Sequence, residues 1–231
     1  MSGPDAAPVV LITGATGPLG HAAAARFGRD GARLVLVGTD RGRLEALVAT
    51  AALDRDRVLL VVADLRDRDA ARSMAEQAIA RFGRIDVLLH AVGGWAGGTA
   101  VVNLDPDEVR GMLDAHLWTT LHVVQAVVPG MTERGFGRVL AVTSPVAANP
   151  GPKGASYAIA KSAEEVILRS LAKEAVGSGV TANLLVVRAI AGGEGSPATA
   201  TPPEDLVEML VHLASAGAGS VTGQRIAVGG A

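Results

Sequence analysis

Thr13-Gly14-Ala15-Thr16-Gly17-Pro18-Leu19-Gly20 closes an aliphatic run that begins at Val9 and opens an Ala-rich stretch from Leu19 to Arg29. A short apolar run that halts at glycine and is followed by good helix formers reads as strand, tight turn, helix. The same alternation continues outward along the chain. Strands are expected at Leu34 to Val37, Val58 to Val62, Val87 to Ala91, Val139 to Thr143, Val180 to Val187 and Arg225 to Val228. Helices are expected at Arg41 to Leu53, Asp67 to Phe82, Tyr157 to Val176 and Pro203 to Ala214. A further long helix is capped by Asp105, with Pro106 at its first position. About seven strands separated by helices predict an α/β fold: a three-layer, doubly wound, mostly parallel sheet in a single domain over 1–231.

Composition agrees with that layering. Hydrophobic residues make up 49% of 231 and aromatic residues only 3%, so the core must be built from Ala, Val, Leu and Ile. Such a palette suits a parallel sheet buried on both faces. A formal net charge of −2 offers nothing to recruit nucleic acid or an anionic membrane, and neither partner is expected. There are no cysteines, so disulfides and cysteine metal sites are excluded. His21, His122 and His212 lack ligand partners nearby in sequence and read as structural, so no metal is expected. Acidic runs such as Asp64 to Asp69 read as helix starts and solvated faces. Neither a signal core nor a run of ~20 apolar residues is present, and a cytoplasmic protein is the expectation.

The glycine turn carries chemistry as well as shape. Glycine after a first strand permits a tight turn and lets a pyrophosphate approach backbone N–H groups at a helix N-terminus. Pro18 fits a first helical position but deletes one of those donors.

Tyr157, the chain's single tyrosine, stands four residues before Lys161 at a helix start, so the two side chains share a face. Ser144 ends the fifth strand, at the sheet edge where ligands bind in such folds. A phenol holds its proton at neutral pH, and a nearby ammonium is expected to lower its pKa. Tyr157 then suits a general acid or base at a carbonyl or alcohol, with Ser144 bonding the oxygen as charge develops.

From about Pro8 to Gly230 the chain resembles the compact, single-domain branch of the short-chain dehydrogenase/reductase family. Ser144, Tyr157 and Lys161 carry the likeness. Asp64 resembles the family residue that contacts adenine, and Val221-Thr222-Gly223-Gln224 resembles its C-terminal signature. The resemblance implies a Rossmann-type sheet and a nicotinamide cofactor, with hydride moved between it and a small-molecule carbonyl or alcohol. Gly14, Thr16, Gly17, Leu19, Gly20, Asp64, Leu65, Ala91 and Gly93 are the implied cofactor contacts. Tyr157 and Lys161 join them, the lysine also holding the nicotinamide ribose. It further implies homodimers or homotetramers packed through the long helices after strands four and five.

Several positions depart from the pattern. His90-Ala91-Val92-Gly93 replaces Asn-Asn-Ala-Gly, and His116 stands where the family has a fourth catalytic-site asparagine that supports a relay water. His116 holds the same water, or titrates near neutral pH and changes the pH profile, or simply bonds a backbone carbonyl. Val187-Arg188 replaces Pro-Gly, and Arg188 faces an anionic substrate or lies on the surface. The substrate-covering lid, about 188–203, is short, and its segment from Ala191 to Thr201 has the composition of a mobile one. Gly229 replaces an acidic residue.

An acid at the end of the second strand would bind adenosine ribose hydroxyls. Gly38 occupies that place, which leans towards NADP(H) with Thr39 and Arg41 as phosphate partners, unless the strand runs on to Asp40. Trp95 lines the expected substrate mouth, and Trp118 reads as a core or interface residue. Two other readings stay open: non-hydride chemistry such as elimination or isomerisation on this fold, and a cofactor-binding scaffold without turnover.

Overall fold

The computed structural model describes residues 7–192 and 196–229. Seven strands form one parallel sheet: β1 (Val9–Thr13), β2 (Arg33–Gly38), β3 (Val58–Val62), β4 (Val87–His90), β5 (Gly137–Thr143), β6 (Val180–Val186) and β7 (Arg225–Ala227). Their order across the sheet is β3-β2-β1-β4-β5-β6-β7. The chain therefore starts in the middle, winds outward to β3, then returns to β1 and winds the other way. That reversal leaves a crevice at the carboxyl ends of β1 and β4.

Strand alternation builds the two cores. Val9, Leu11, Leu88 and Val139 face one side, with Met74 and Ala78 of α3 (Arg68–Phe82), Val123 and Val127 of α5 (Thr119–Arg134) and Leu168 of α6 (Ala155–Glu174). Val10, Ile12, Leu89 and Leu140 face the other, with Leu19, Ala23 and Phe27 of α1 (Pro18–Arg29), Leu44 and Leu47 of α2 (Arg41–Thr50) and Leu206 and Leu210 of α7 (Pro203–Ala214). Every residue of β1 is buried, so no polar alternation is tolerated there.

Helix starts follow the chain's acidic residues. The Asp40, Asp67 and Asp105 side chains accept hydrogen bonds from the backbone N–H groups of Arg43, Asp69 and Asp107. The expected single helix after Asp105 is interrupted. It comprises α4 (Pro106–Leu113), a five-residue π turn at Asp114–Trp118, then α5. The Thr119 and Thr120 hydroxyls donate to the Ala115 and His116 carbonyls at 2.8 and 2.6 Å, satisfying acceptors that the wider turn displaces. His116 is turned inward and buried, while Trp118 stays 43% exposed and stacks on His122, so it is not a core residue.

The C-terminal signature docks on β6. Asn183 donates to the Val221 carbonyl and accepts from the Gln224 N–H, which holds the turn that delivers β7. Gly229 has φ +69, and a Cβ there would lie 2.5 Å from the Thr201 hydroxyl, so an acidic residue has no room. The lid is tied at its base by a bridge between Ile190 and Thr201; residues 193–195 of the expected lid and mobile segment lie outside the described residues.

His90 closes the centre of the sheet. Its Nδ1 lies 2.8 Å from the Thr13 hydroxyl on β1 and its Nε2 3.4 Å from the Thr119 hydroxyl on α5. Burial pushes its pKa down to about 4, with the charge of Lys161 adding to the effect and Glu164 opposing it. In the unfolded chain the ordinary value of ~6.5 returns. Between those values the unfolded state binds a proton that the folded state refuses, so stability is lost as pH falls through that window and is intact above it. Urea unfolding should show His90→Asn losing less stability than the native chain between pH 6.5 and 4, by on the order of 3 kcal/mol.

Candidate active site

The carboxyl ends of β1, β4 and β5 open onto a cleft of about 1000 Å³. The glycine turn forms one wall. Gly14 has φ +65, and a Cβ there would lie 2.4 Å from the Ala91 carbonyl oxygen; a Cβ at Gly20 would come equally close to the Gly14 carbonyl oxygen. These two glycines let β1, β4 and α1 pack. Gly17 differs: it caps α1 in extended conformation, with nothing nearer than 3.4 Å to an added Cβ. Its open side faces the cleft beside Leu19 and Gly20. The first turn of α1 offers backbone N–H groups without partners inside the helix, and Pro18 removes one of them. The cradle fits a dinucleotide pyrophosphate.

Of the other expected cofactor contacts, Ala91 and Gly93 line the cleft, whereas Thr16, Thr39, Arg41, Asp64 and Leu65 do not. Asp64 is held by Arg66, whose guanidinium grips both carboxylate oxygens and keeps the carboxyl below its ordinary pKa. Leu65 is buried, with its carbonyl 3.1 Å from His122 Nδ1. Strand β2 ends at Gly38, and the Asp40 carboxylate is spent capping α2. Arg41 turns away to Glu45 at 3.2 Å. Arg43, which the sequence reading passed over, reaches back instead and donates to the Thr16 carbonyl at 3.2 Å.

The opposite wall carries Ser144, Tyr157 and Lys161. Ser144 is buried at the end of β5, and its Oγ accepts the Val146 N–H at 3.5 Å. Burial pushes the Tyr157 phenol above its ordinary pKa; Lys161 opposes this, Glu164 adds to it, and a hydrogen bond with Ser144 opposes it. The expected lowering by the ammonium is therefore outweighed. Burial is the main reason, and Glu164, a residue not expected from the sequence, adds to it. Lys161 Nζ donates to Glu164 Oε2 at 2.7 Å and to the Val142 carbonyl at 2.8 Å. Glu164 is 1% exposed. Desolvation works to raise its pKa, but Lys161, His116 and His90 together hold the carboxyl below the ordinary value.

His116 lies on the far side of that carboxylate. Its Nδ1 is 3.4 Å from Glu164 Oε2, an ion-pair distance without hydrogen-bond geometry, and its Nε2 is 3.0 Å from the Gly94 carbonyl oxygen. Its ring meets Tyr157 edge-on at 5.6 Å, and a Cβ at Gly93 would overlap it at 2.4 Å. Spacing carried the missing signal: Tyr157, Lys161 and Glu164 sit at i, i+4 and i+7 of one helical face. At the rim, Trp95 is 69% exposed and Arg188 is exposed, and both line the cleft. Among the described residues no group of three His, Cys, Asp or Glu is placed to hold a metal ion. No described helix is long and apolar enough to cross a membrane.

A sequence family described as short chain dehydrogenase matches residues 8–194. The chain is 34% identical to the (2S)-[(R)-hydroxy(phenyl)methyl]succinyl-CoA dehydrogenase subunit BbsC of Thauera aromatica, over 96% of this chain and 93% of that protein. It is 27% identical to the 3-oxoacyl-[acyl-carrier-protein] reductase FabG of Thermotoga maritima, over 96% of each chain. A short-chain type dehydrogenase/reductase from Mycobacterium ulcerans shares the fold with a TM-score of 0.89 at 23% identity, covering 98% of this chain and 89% of the other. This chain belongs to the short-chain dehydrogenase family. It is an NAD(P)-dependent oxidoreductase.

Gly14 and Gly17 of the glycine turn should respond differently to a methyl group. Gly14→Ala should cost at least about 2 kcal/mol, since it adds an overlap to a left-handed backbone. Gly17→Ala should cost about 1 kcal/mol or less, as an N-cap exchange in open space. Chemical denaturation of both variants measures the contrast.

Proposed function

We propose that this cleft moves hydride between NADP(H) and a small-molecule carbonyl or secondary alcohol, with Tyr157 as the group that gives or takes the proton. The observation that carries the reading is that the glycine turn and the Ser144, Tyr157 and Lys161 set face each other across one cleft. The bound nicotinamide supplies or accepts the hydride. Tyr157 donates its phenolic proton to the substrate oxygen during reduction and receives one from the hydroxyl during oxidation. Ser144 hydrogen-bonds that oxygen as negative charge gathers on it. Lys161 favours the phenolate and keeps one donor for the cofactor's ribose, and His116 backs the site beneath Gly93.

Preference for NADP(H) is supported by the missing acid at Gly38, by the capping duty of Asp40, and by Arg43 lying exposed against the glycine turn. We assign the 2′-phosphate to Arg43 and Thr39 rather than Arg41. Both named relatives handle acyl groups on a carrier, so 3-oxoacyl thioesters open the substrate panel, with Arg188 at the rim for an anionic group. Exposed Trp118, Ile159 and Val166, beside α5 and along α6, support self-association through those helices. The Thauera relative is a dehydrogenase subunit, which motivates a second reading, in which the chain works as one subunit of a dehydrogenase built from two kinds of chain.

Tyr157→Phe should lower kcat by 10²-fold or more with little change in cofactor binding, as loss of a proton-transfer group does. Steady-state kinetics beside fluorescence titration separates the two, and turnover like the native enzyme's would sink the role. Arg43→Ala should weaken NADPH by roughly 10- to 150-fold and leave NADH unchanged, because a charge-assisted contact is worth about 1.5–3 kcal/mol. Native protein that binds either cofactor yet turns over only with a second chain added would favour the subunit reading.

A further inference from the structure

A carboxylate that is 1% exposed must repay the loss of its hydration, and Glu164 does so entirely with groups of the cleft. Its Oε2 accepts from Lys161 Nζ at 2.7 Å and stands 3.4 Å from His116 Nδ1, while its Oε1 has no hydrogen-bond partner among the described residues. Glu165, next along α6, shows what a structural carboxylate looks like in this fold. Its two oxygens meet Thr143 and Arg225 at 2.8 Å each, tying α6 to β5 and β7. Glu164 ties nothing together except residues that line the cleft.

We propose that Glu164 is a positioning residue that locks Lys161 and His116 into one buried chain and offsets the lysine charge felt by Tyr157. The argument is one of charge and geometry. Lys161 alone would place a full positive charge near the phenol; paired with Glu164 at 2.7 Å, it presents an ion pair whose two charges partly cancel at Tyr157. Burial keeps water from screening either member. His116 completes the chain. Its Nε2 lies 3.0 Å from the Gly94 carbonyl oxygen and its Nδ1 3.4 Å from Glu164 Oε2. The titratable groups facing Glu164 are Lys161 and Tyr157 on its own helix, His116 on the π turn and His90 at the end of β4. Raising of the phenol's pKa by Glu164 has the sign this arrangement requires. The consequence is a tyrosine that keeps its proton, which suits donation to a carbonyl better than abstraction from an alcohol.

The proposal rests on Tyr157 as the proton-exchanging group, yet it can be read without turnover, because Tyr157 is the chain's single tyrosine. The ultraviolet phenolate band of the folded protein therefore titrates this residue alone. Glu164→Gln keeps the shape and an oxygen acceptor for Lys161 while removing the charge. Its phenolate midpoint should fall by about one unit or more from the native chain's, and any alkaline limb of alcohol oxidation should move with it. A folded Glu164→Gln variant with an unshifted midpoint overturns the inference and leaves the hydride-transfer reading intact. A shifted midpoint in a protein without turnover upholds the charge role and defeats that reading instead. Should Glu164→Gln not fold by circular dichroism, Glu164→Asp, which draws the carboxylate back by one methylene, should lower the midpoint by a smaller amount. An unchanged or higher midpoint there overturns the proposal.

Discussion

Pairing of β1 with β4 sets Thr13 opposite His90 at the carboxyl edge of the sheet, and the cleft is organised around that seam. Both strands are buried on both faces, so their backbones can be satisfied only by each other and by their outer neighbours. Where they end, the chain must leave in opposite senses, β1 into α1 and β4 into the stretch whose Gly93 packs on His116. Gly14 makes this exit possible by bringing its backbone against the Ala91 carbonyl, where no other residue type fits. The His90 imidazole then stitches the seam to α5 through two hydroxyls. A neutral ring does this in a dry place where a charged one would be expelled.

The electrostatics of the cleft follow from the same burial. Lys161, Glu164 and His116 are each less than a tenth exposed, and each would be costly alone. Held together, they compensate one another within the chain's own side chains. The departures from the family pattern at 90 and 116 are thus parts of a connected polar cluster that runs from Thr13 through His90 and Thr119 to His116, Glu164 and Lys161. The π turn is the structural means: it rotates His116 off the surface of the α4–α5 segment and under Gly93. On the other wall the glycine turn keeps a simpler logic. Two of its glycines are required by packing, and a third leaves space at a helix N-terminus.

The parallel sheet, its seven strands, the helices between them, the glycine turn and the Ser144, Tyr157 and Lys161 set were all legible from the sequence. Each depends on local periodicity, on turn chemistry or on spacing within one helix, and such signals sit in neighbouring residues. Asp105 as a cap belongs to the same class. What only the tertiary structure decided is which long side chain meets which partner. Arg41 and Arg43 are alike in sequence, yet Glu45 takes the first and the Thr16 carbonyl takes the second. Asp64 stands after the third strand where an adenine contact is expected, and only the structure pairs its carboxylate with Arg66, two residues on. Glu164 shared a face with Tyr157 and Lys161 on the helical spacing, but its burial and its hold on His116 come from a π turn forty-odd residues away. Sequence spacing determines which residues share a face; the charge state and proton affinity of a group depend on what the rest of the chain packs against that face, because desolvation and Coulomb energy act through space.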